Sequence, residues 1–179
     1  GIEHATYKNK TTRELYTSRE LNHVRYDTDF DFFKWSLFGQ ASKNFFLERL
    51  ALSIGVRVDG NSYTAGMNNP FKHISPRLSL SYSLTPEWFI NANAGRYYQL
   101  PSYTTMGYAD EHGKLVNKQN GVKYIGTNHY VMGLEYRPGS RTRITLEGFY
   151  KTYDHYPVSL LDSIVLANKG TDYVAVGDE

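Results

Sequence analysis

The sequence predicts an all-β protein, an antiparallel up-and-down meander. Three observations carry this reading. Apolar and polar residues alternate at a period of two along most of the 179 residues, the signature of strands with two unlike faces. No helical periodicity runs over a comparable length. The connections between alternating segments are short, then long, then short again. In a meander this rhythm gathers the short turns at one end and the long loops at the other, as in barrels that cross outer membranes.

Seven strands follow in order, roughly over 1–8, 31–42, 48–60, 74–84, 87–98, 127–137 and 141–156. Segment 48–60 alternates most clearly, with Leu50, Leu52, Ile54, Val56 and Val58 on one side and Ala51, Ser53, Gly55, Arg57 and Asp59 on the other. Leu78, Leu80, Tyr82 and Leu84 alternate with Ser79, Ser81 and Ser83. After a Thr85-Pro86 turn, Trp88, Ile90, Ala92 and Ala94 alternate with Asn91, Asn93 and Gly95. Tyr130, Met132, Leu134 and Tyr136 oppose Val131, Gly133, Glu135 and Arg137. Ile144, Leu146, Gly148 and Tyr150 oppose Arg143, Thr145, Glu147, Phe149 and Lys151. Short turns are expected at 43–47, Thr85-Pro86 and Pro138-Gly139-Ser140, where Pro fixes φ and Gly frees it. Long loops are expected at 9–30, 61–73 and 99–126, with another after 157. Within the first, Thr17-Ser18-Arg19-Glu20 has the composition of one capped helical turn.

Strands of about 10–12 residues, tilted near 40°, cross an apolar band of about 25 Å. Strands of soluble proteins are commonly five or six residues long. The polar face is also unlike that of a soluble sheet. It is largely Ser, Ala, Asn and Gly with single Arg, Glu and Lys residues, which suits a crowded, hydrated lumen. Aromatic residues are 15% of the chain, with 16 tyrosines. Phe45, Phe46 and Trp88 fall beside short turns, while Tyr97, Tyr98, Tyr130, Tyr150, Tyr153 and Tyr156 fall nearer the long loops. Two aromatic belts are what a barrel places at its two interfaces. Two other readings fit the same pattern. One is a soluble β-sandwich or lipocalin-like module that binds an apolar ligand. The other is a complete small barrel, which needs an eighth strand within 160–176.

Composition excludes several functions. The chain has no cysteine, so disulfides and thiolate sites are ruled out. A net charge of +2 is too mild to point to nucleic acid. No stretch approaches 18 apolar residues, so no helix spans a membrane. A mean hydropathy of −0.53 suits a soluble protein and equally a barrel whose every second residue faces a polar lumen. His4, His23, His73, His112, His129 and His155 lack metal-ligand spacing. Asp27, Asp29 and Asp31, with Asp162 and Asp172, read as solvated acidic positions, since no Gly sits where a calcium loop turns. A Gly-rich phosphate loop and a Gly-x-Ser-x-Gly elbow are both missing. No enzyme chemistry, metal or cofactor is expected. Asn9-Lys10-Thr11 matches a glycosylation acceptor and carries no weight alone. The loop "QLPSYTTMGYADEHGKLVNKQNGVKYIG" (99–126) carries Tyr103, Tyr108 and Tyr124 among polar residues. Tyrosines in such loops give contact area at small entropy cost.

Specific segments extend this reading. "SPRLSLSYSLTPEWFINANAGRYYQLPSY" (75–103) resembles a hairpin of TonB-dependent outer-membrane receptors, particularly the Bacteroidota type. In that hairpin x-P-R-L-S precedes the short turn and G-R-aromatic-x-Q-x-P leads into a large external loop. "YVMGLEYRPGSRTRITLEGFYKTYDHYPVS" (130–159) is similar to the next hairpin. "WSLFGQAS" and "RLALSIGVRVDGNSY" (35–63) are similar to the preceding pair. The resemblance covers about 35–160. It implies part of a large transmembrane β-barrel, a 22-stranded one with its lumen filled by a plug domain. It implies energised uptake of a siderophore, cobalamin, glycan or peptide solute. The implied partners are the plug domain, the TonB complex, outer-membrane lipid and a small solute, with a lipoprotein lid as a further candidate.

The chain shows no plug, TonB-interacting segment, signal peptide or closing aromatic strand, so it reads as one internal segment (1–179) of such a barrel. A piece of this kind has open sheet edges and is expected to self-associate when isolated. Leu78, Leu80, Tyr82, Leu84 and Ile90 are then expected to face lipid. Ser79, Ser81, Ser83, Asn91 and Asn93 are expected to face the lumen. By strand parity and loop position, the candidate contacts to plug or solute are Asn91, Asn93, Tyr97, Glu135, Glu147 and Lys151 in the lumen. Tyr103 and Tyr108 are the candidates in the loop.

Overall fold

The computed structural model describes residues 1–17 and 20–177. Seven antiparallel strands form one sheet in sequence order: β1 (Ile2–Thr17), β2 (Glu20–Phe45), β3 (Leu50–Asn61), β4 (Ile74–Ser83), β5 (Trp88–Gln99), β6 (Ile125–Gly139) and β7 (Thr142–Asp154). The sheet is a half-barrel. Turns of two to four residues join β2 to β3, β4 to β5 and β6 to β7. The long connections 62–73 and 100–124 and the segment after 154 lie at the opposite end. They carry short helices α1 (Ala65–Asn68), α2 (Tyr103–Met106) and α3 (Val116–Gln119) and a small ribbon of β8 (Val158–Ser159) with β9 (Val176–Gly177).

The pairing register builds two unlike faces. Leu50 pairs with Tyr82, Tyr82 with Ile90, Ile90 with Leu134 and Leu134 with Leu146. One apolar row therefore crosses five strands. The neighbouring row runs Asn44, Ala51, Ser81, Asn91, Gly133 and Glu147. A one-residue slip would exchange the rows, so the alternation itself pins the register. The apolar face of this lower wall is open: Leu37, Met132 and Leu146 are 72%, 62% and 75% exposed. The stacked Trp88–Tyr136 rings, 4.4 Å apart, mark the short-turn end, and the Tyr130–Tyr150 pair, at 6.5 Å, lies towards the loops.

The described residues of 9–30, expected as a loop, are instead strand. β1 and β2 pair from Ile2 with Trp35 up to Thr17 with Glu20, far beyond the other strands. Alternation is present there but hidden, because Asn9, Thr11 and Thr28 share the inward face with Tyr26, Phe30 and Phe32. Asp27, Asp29 and Asp31 are exposed as expected, though on the outer face of a strand. Lys8 pairs with Asp29 at 2.8 Å and His4 with Asp31 at 3.1 Å. The expected helical turn at Thr17-Ser18-Arg19-Glu20 includes Ser18 and Arg19, which lie outside the described residues. No eighth wall strand forms among the described residues of 160–176; that stretch folds over the loop end.

The buried core sits at that end. Phe30, Phe32, Tyr63, Met67, Met106, Val122, Tyr124, Val174 and Val176 cluster there, with Tyr7, Tyr98 and Tyr103 packed against them. Fully burying one such side chain contributes roughly 1.5–3 kcal/mol. Buried polar groups tie the loops to one another. Tyr63 Oη donates to the Met106 carbonyl at 2.5 Å and Asn61 Nδ2 to Tyr124 Oη at 2.8 Å. Asn117 donates to the carbonyls of Thr105 and Val174 and accepts from the Val176 amide. Gly107 is required where it stands: a Cβ there would lie 2.9 Å from the Tyr7 ring and 3.1 Å from the Phe30 ring.

Candidate functional site

The polar face of the lower wall forms one trough of about 470 Å³ lined from β2 through β7. Ser42, Ser53, Ser79, Ser81, Asn91 and Asn93 form its floor, and Glu135, Arg137, Arg143 and Glu147 its charged side. Small side chains hydrogen-bond across strands, as between Ser42 Oγ and Ser53 Oγ at 2.9 Å and between Gln40 Nε2 and Ser53 Oγ at 3.0 Å.

Glu135 organises the charged side. Its carboxylate is buried, 1% exposed. It accepts from Arg143 Nη2 at 2.8 Å, from Asn91 Nδ2 at 3.3 Å and from Arg137 Nε. A carboxylate removed from water needs such partners, and guanidinium supplies paired donors in a planar fork. Arg137 also lies 4.6 Å over the Phe89 ring. Two arginines thus meet one buried carboxylate, with the exposed Glu147 beside them. Gly133 makes room for Glu147, whose Cγ would stand 3.0 Å from a Cβ at that position.

Higher on the same face, Arg77 stacks 4.5 Å over the Tyr97 ring, and Tyr97 lies 4.8 Å from His129. Lys151 pairs in register with His129 and lies over the Phe149 ring. The structure therefore places Asn91, Asn93, Glu135 and Glu147 together in the trough, and Tyr97 and Lys151 in a second group above it. Tyr103 and Tyr108 lie elsewhere, at the loop end, Tyr103 packed against the core there. Tyr103 Oη accepts from Lys34 Nζ at 2.9 Å and its ring packs edge-on against Phe32. Tyr108 packs edge-on against Tyr26. Burial pushes the Tyr26 phenol up to about 12 and raises Tyr63 and Tyr124 as well, so these rings stay protonated.

Sequence reasoning missed Arg137 and Arg143 as partners of Glu135, and Arg77 as the partner of Tyr97. The first was available from parity, since residues 135 and 137 share a face. The other two come from neighbouring strands and need the register. Among the described residues, no three His, Asp or Glu side chains gather as a metal site.

The comparisons with known proteins bear on the wall as a whole. A family model described as TonB dependent receptor-like, beta-barrel matches residues 2–179. No curated protein matches the sequence. A solved structure titled "Copper transporter OprC" superposes with a TM-score of 0.57 at 17% sequence identity, over 87% of this chain and 27% of that one. At that identity the likeness speaks for the fold alone. The chain spans about a quarter of that neighbour's length.

Proposed function

The chain belongs to the TonB-dependent receptor β-barrel family of the bacterial outer membrane, and we propose that residues 1–179 are one segment of such a barrel, working in energised uptake of a solute. The observation that supports this most is the register: a continuous apolar row beside a continuous small-polar row, with the polar row lining the trough. In this reading the apolar row meets lipid and the trough meets the plug domain. Asn91, Asn93 and Glu147 are open to plug or solute, and Tyr97 and Lys151 form a second contact higher in the lumen. Glu135, held by Arg137 and Arg143, shapes the wall between them. Tyr103 and Tyr108 hold the external loops in place.

The solute class is a siderophore, cobalamin, glycan or peptide. A metal ion joins the panel because the structural neighbour is a copper transporter. The soluble-module alternative is not favoured, since among the described residues no second sheet covers the apolar row. The test is accumulation of that panel in cells carrying the full receptor, with and without a working TonB complex. One class should accumulate only with TonB, and Asn93→Trp in the trough should reduce it. Accumulation of none, or accumulation indifferent to TonB, overturns the uptake reading.

A further inference from the structure

The short turn between β2 and β3 is built against the usual preferences. Phe46, Leu47 and Glu48 hold three consecutive left-handed conformations, with φ of 55°, 54° and 67°. Turn positions of that hand normally take Gly, Asn or Asp, because a bulky side chain opposes them. Here they put two apolar side chains at the tip: Phe46 is 73% exposed and Leu47 99%. The other two short turns carry Thr85-Pro86-Glu87 and Gly139-Ser140-Arg141 at theirs. A strained backbone that holds apolar side chains away from the fold calls for an apolar medium to receive them.

Two cations flank the tip. Three apolar rows cross the sheet from β2 to β7, beginning at Ala41, Lys43 and Phe45, and Lys43 is the one charged side chain in them. Its ammonium lies 5.4 Å over the Phe45 ring, on the turn side. A lysine on a lipid-covered face bends in this way to bring its charge to the interface. Arg49 follows the tip. Its Nη2 donates to the Leu84 carbonyl at 2.9 Å, and its guanidinium lies 5.7 Å over the ring of Tyr82, which belongs to the Phe45 row. Among the described residues neither cation forms an ion pair. Beyond Tyr82, an apolar groove of about 480 Å³ runs over Leu78, Leu80, Ala92 and Ala94, flanked by Tyr130 and Met132. Unpaired cations between an apolar tip and an apolar groove are complementary to a molecule with an anionic head and long apolar chains.

We propose that the foot of the β2–β3 hairpin holds an anionic phospholipid of the periplasmic leaflet. Lys43 and Arg49 meet its phosphate, Phe46 and Leu47 dip into the interface beside it, and one acyl chain lies in the groove. The proposal rests on the barrel reading for the membrane and for the periplasmic side of the short turns. It goes beyond a uniformly lipid-covered face, because it assigns one class of lipid to one place on that face.

The test places bimane on Leu52→Cys, which pairs with Lys43, in the full receptor in phosphatidylcholine bilayers. A small, equal fraction of brominated phosphatidylglycerol or brominated phosphatidylcholine is then added. The brominated anionic lipid should quench this position far more strongly than the brominated neutral one. At Leu146→Cys, on the same face of β7, the two should quench alike. Each basic residue near a membrane surface is worth about fivefold in affinity for anionic lipid. Lys43→Gln and Arg49→Gln should therefore each lower the preference about fivefold, and together abolish it. High salt should weaken it. Phe46→Ser with Leu47→Ser should reduce it several-fold. Equal quenching by the two lipids at position 52, or a preference that survives the double Gln variant, overturns the site. A preference untouched by the double Ser variant overturns the role of the tip and gives it to a protein partner. Quenching by both lipids alike at 52 and 146 refutes the site alone, whereas quenching by neither lipid at either position refutes the barrel reading.

Discussion

The two ends of β2 meet different surroundings. Towards the loops, Phe30 and Phe32 are buried by the chain's own loops; further down, Phe38 on the same face and Leu37 on the opposite one are more than 70% exposed. The same strand, with the same alternation, is finished by protein at one end and left open at the other. The loop end therefore has the properties of a globular core: interlocked rings, satisfied buried amides and a required glycine. The wall has its ladder of backbone hydrogen bonds and, on the polar face, side-chain bonds such as those that hold Glu135, but no packed apolar core covers it. Its apolar row gains nothing until lipid covers it, because water on that face opposes the exposed Leu and Ile side chains. One chain thus divides its stability between internal packing and its solvent.

Substitutions can break this contrast. Tyr63→Ala removes a ring that is 2% exposed and its bond to Met106. It should cost about 3–5 kcal/mol, by the same amount in detergent and in bilayers, read from denaturant unfolding. Leu78→Arg, in the middle of the apolar row, should cost about 2–4 kcal/mol in a bilayer and much less in an aqueous refolding assay. Ser79→Arg, one residue away on the polar face, should be tolerated in both. Equal cost for the two arginines would erase the distinction between the faces.

That distinction was legible in the sequence because Leu78, Leu80 and Ser79, Ser81 alternate without a break. So were all three short turns and the seven-strand count. The length of the first hairpin was not. Its inward positions mix Asn9, Thr11 and Thr28 with aromatics, since they face loops and not lipid, and the apolar period disappears. The trough residues Asn91, Asn93, Glu135 and Glu147 came from parity alone. Their organisation around a buried carboxylate did not, because Arg143 reaches Glu135 across a turn whose register shifts between Tyr136 and Gly139. Tyr103 and Tyr108 were visible as special but their packing contacts were not, because a loop tyrosine that packs and one that binds have the same composition.

Smaller changes sharpen the contrast. Asn117→Ala strands two carbonyls and one amide, each worth about 1–3 kcal/mol when buried without a partner. Hydrogen exchange should quicken through 156–177 and leave β3 to β6 unchanged. Acid should also act on the loop end first. His73 is held neutral by burial, with Lys72 and Asp59 as its charged neighbours. The unfolded chain gains a proton near pH 6.5 that the folded loops resist, so stability is full above about pH 6.5 and falls as the pH drops below it. His73→Phe should flatten that slope. Lys8→Ala, which breaks an exposed pair with Asp29 on the outer face of the first hairpin, should change neither region measurably.

The most direct measurement places a bimane label on single cysteines at 78, 79, 80 and 81 of the full receptor in bilayers of brominated lipid. The account predicts strong quenching at Leu78→Cys and Leu80→Cys and weak quenching at Ser79→Cys and Ser81→Cys. Equal quenching at all four, or the reverse alternation, would contradict a wall with one face in lipid and one in the lumen.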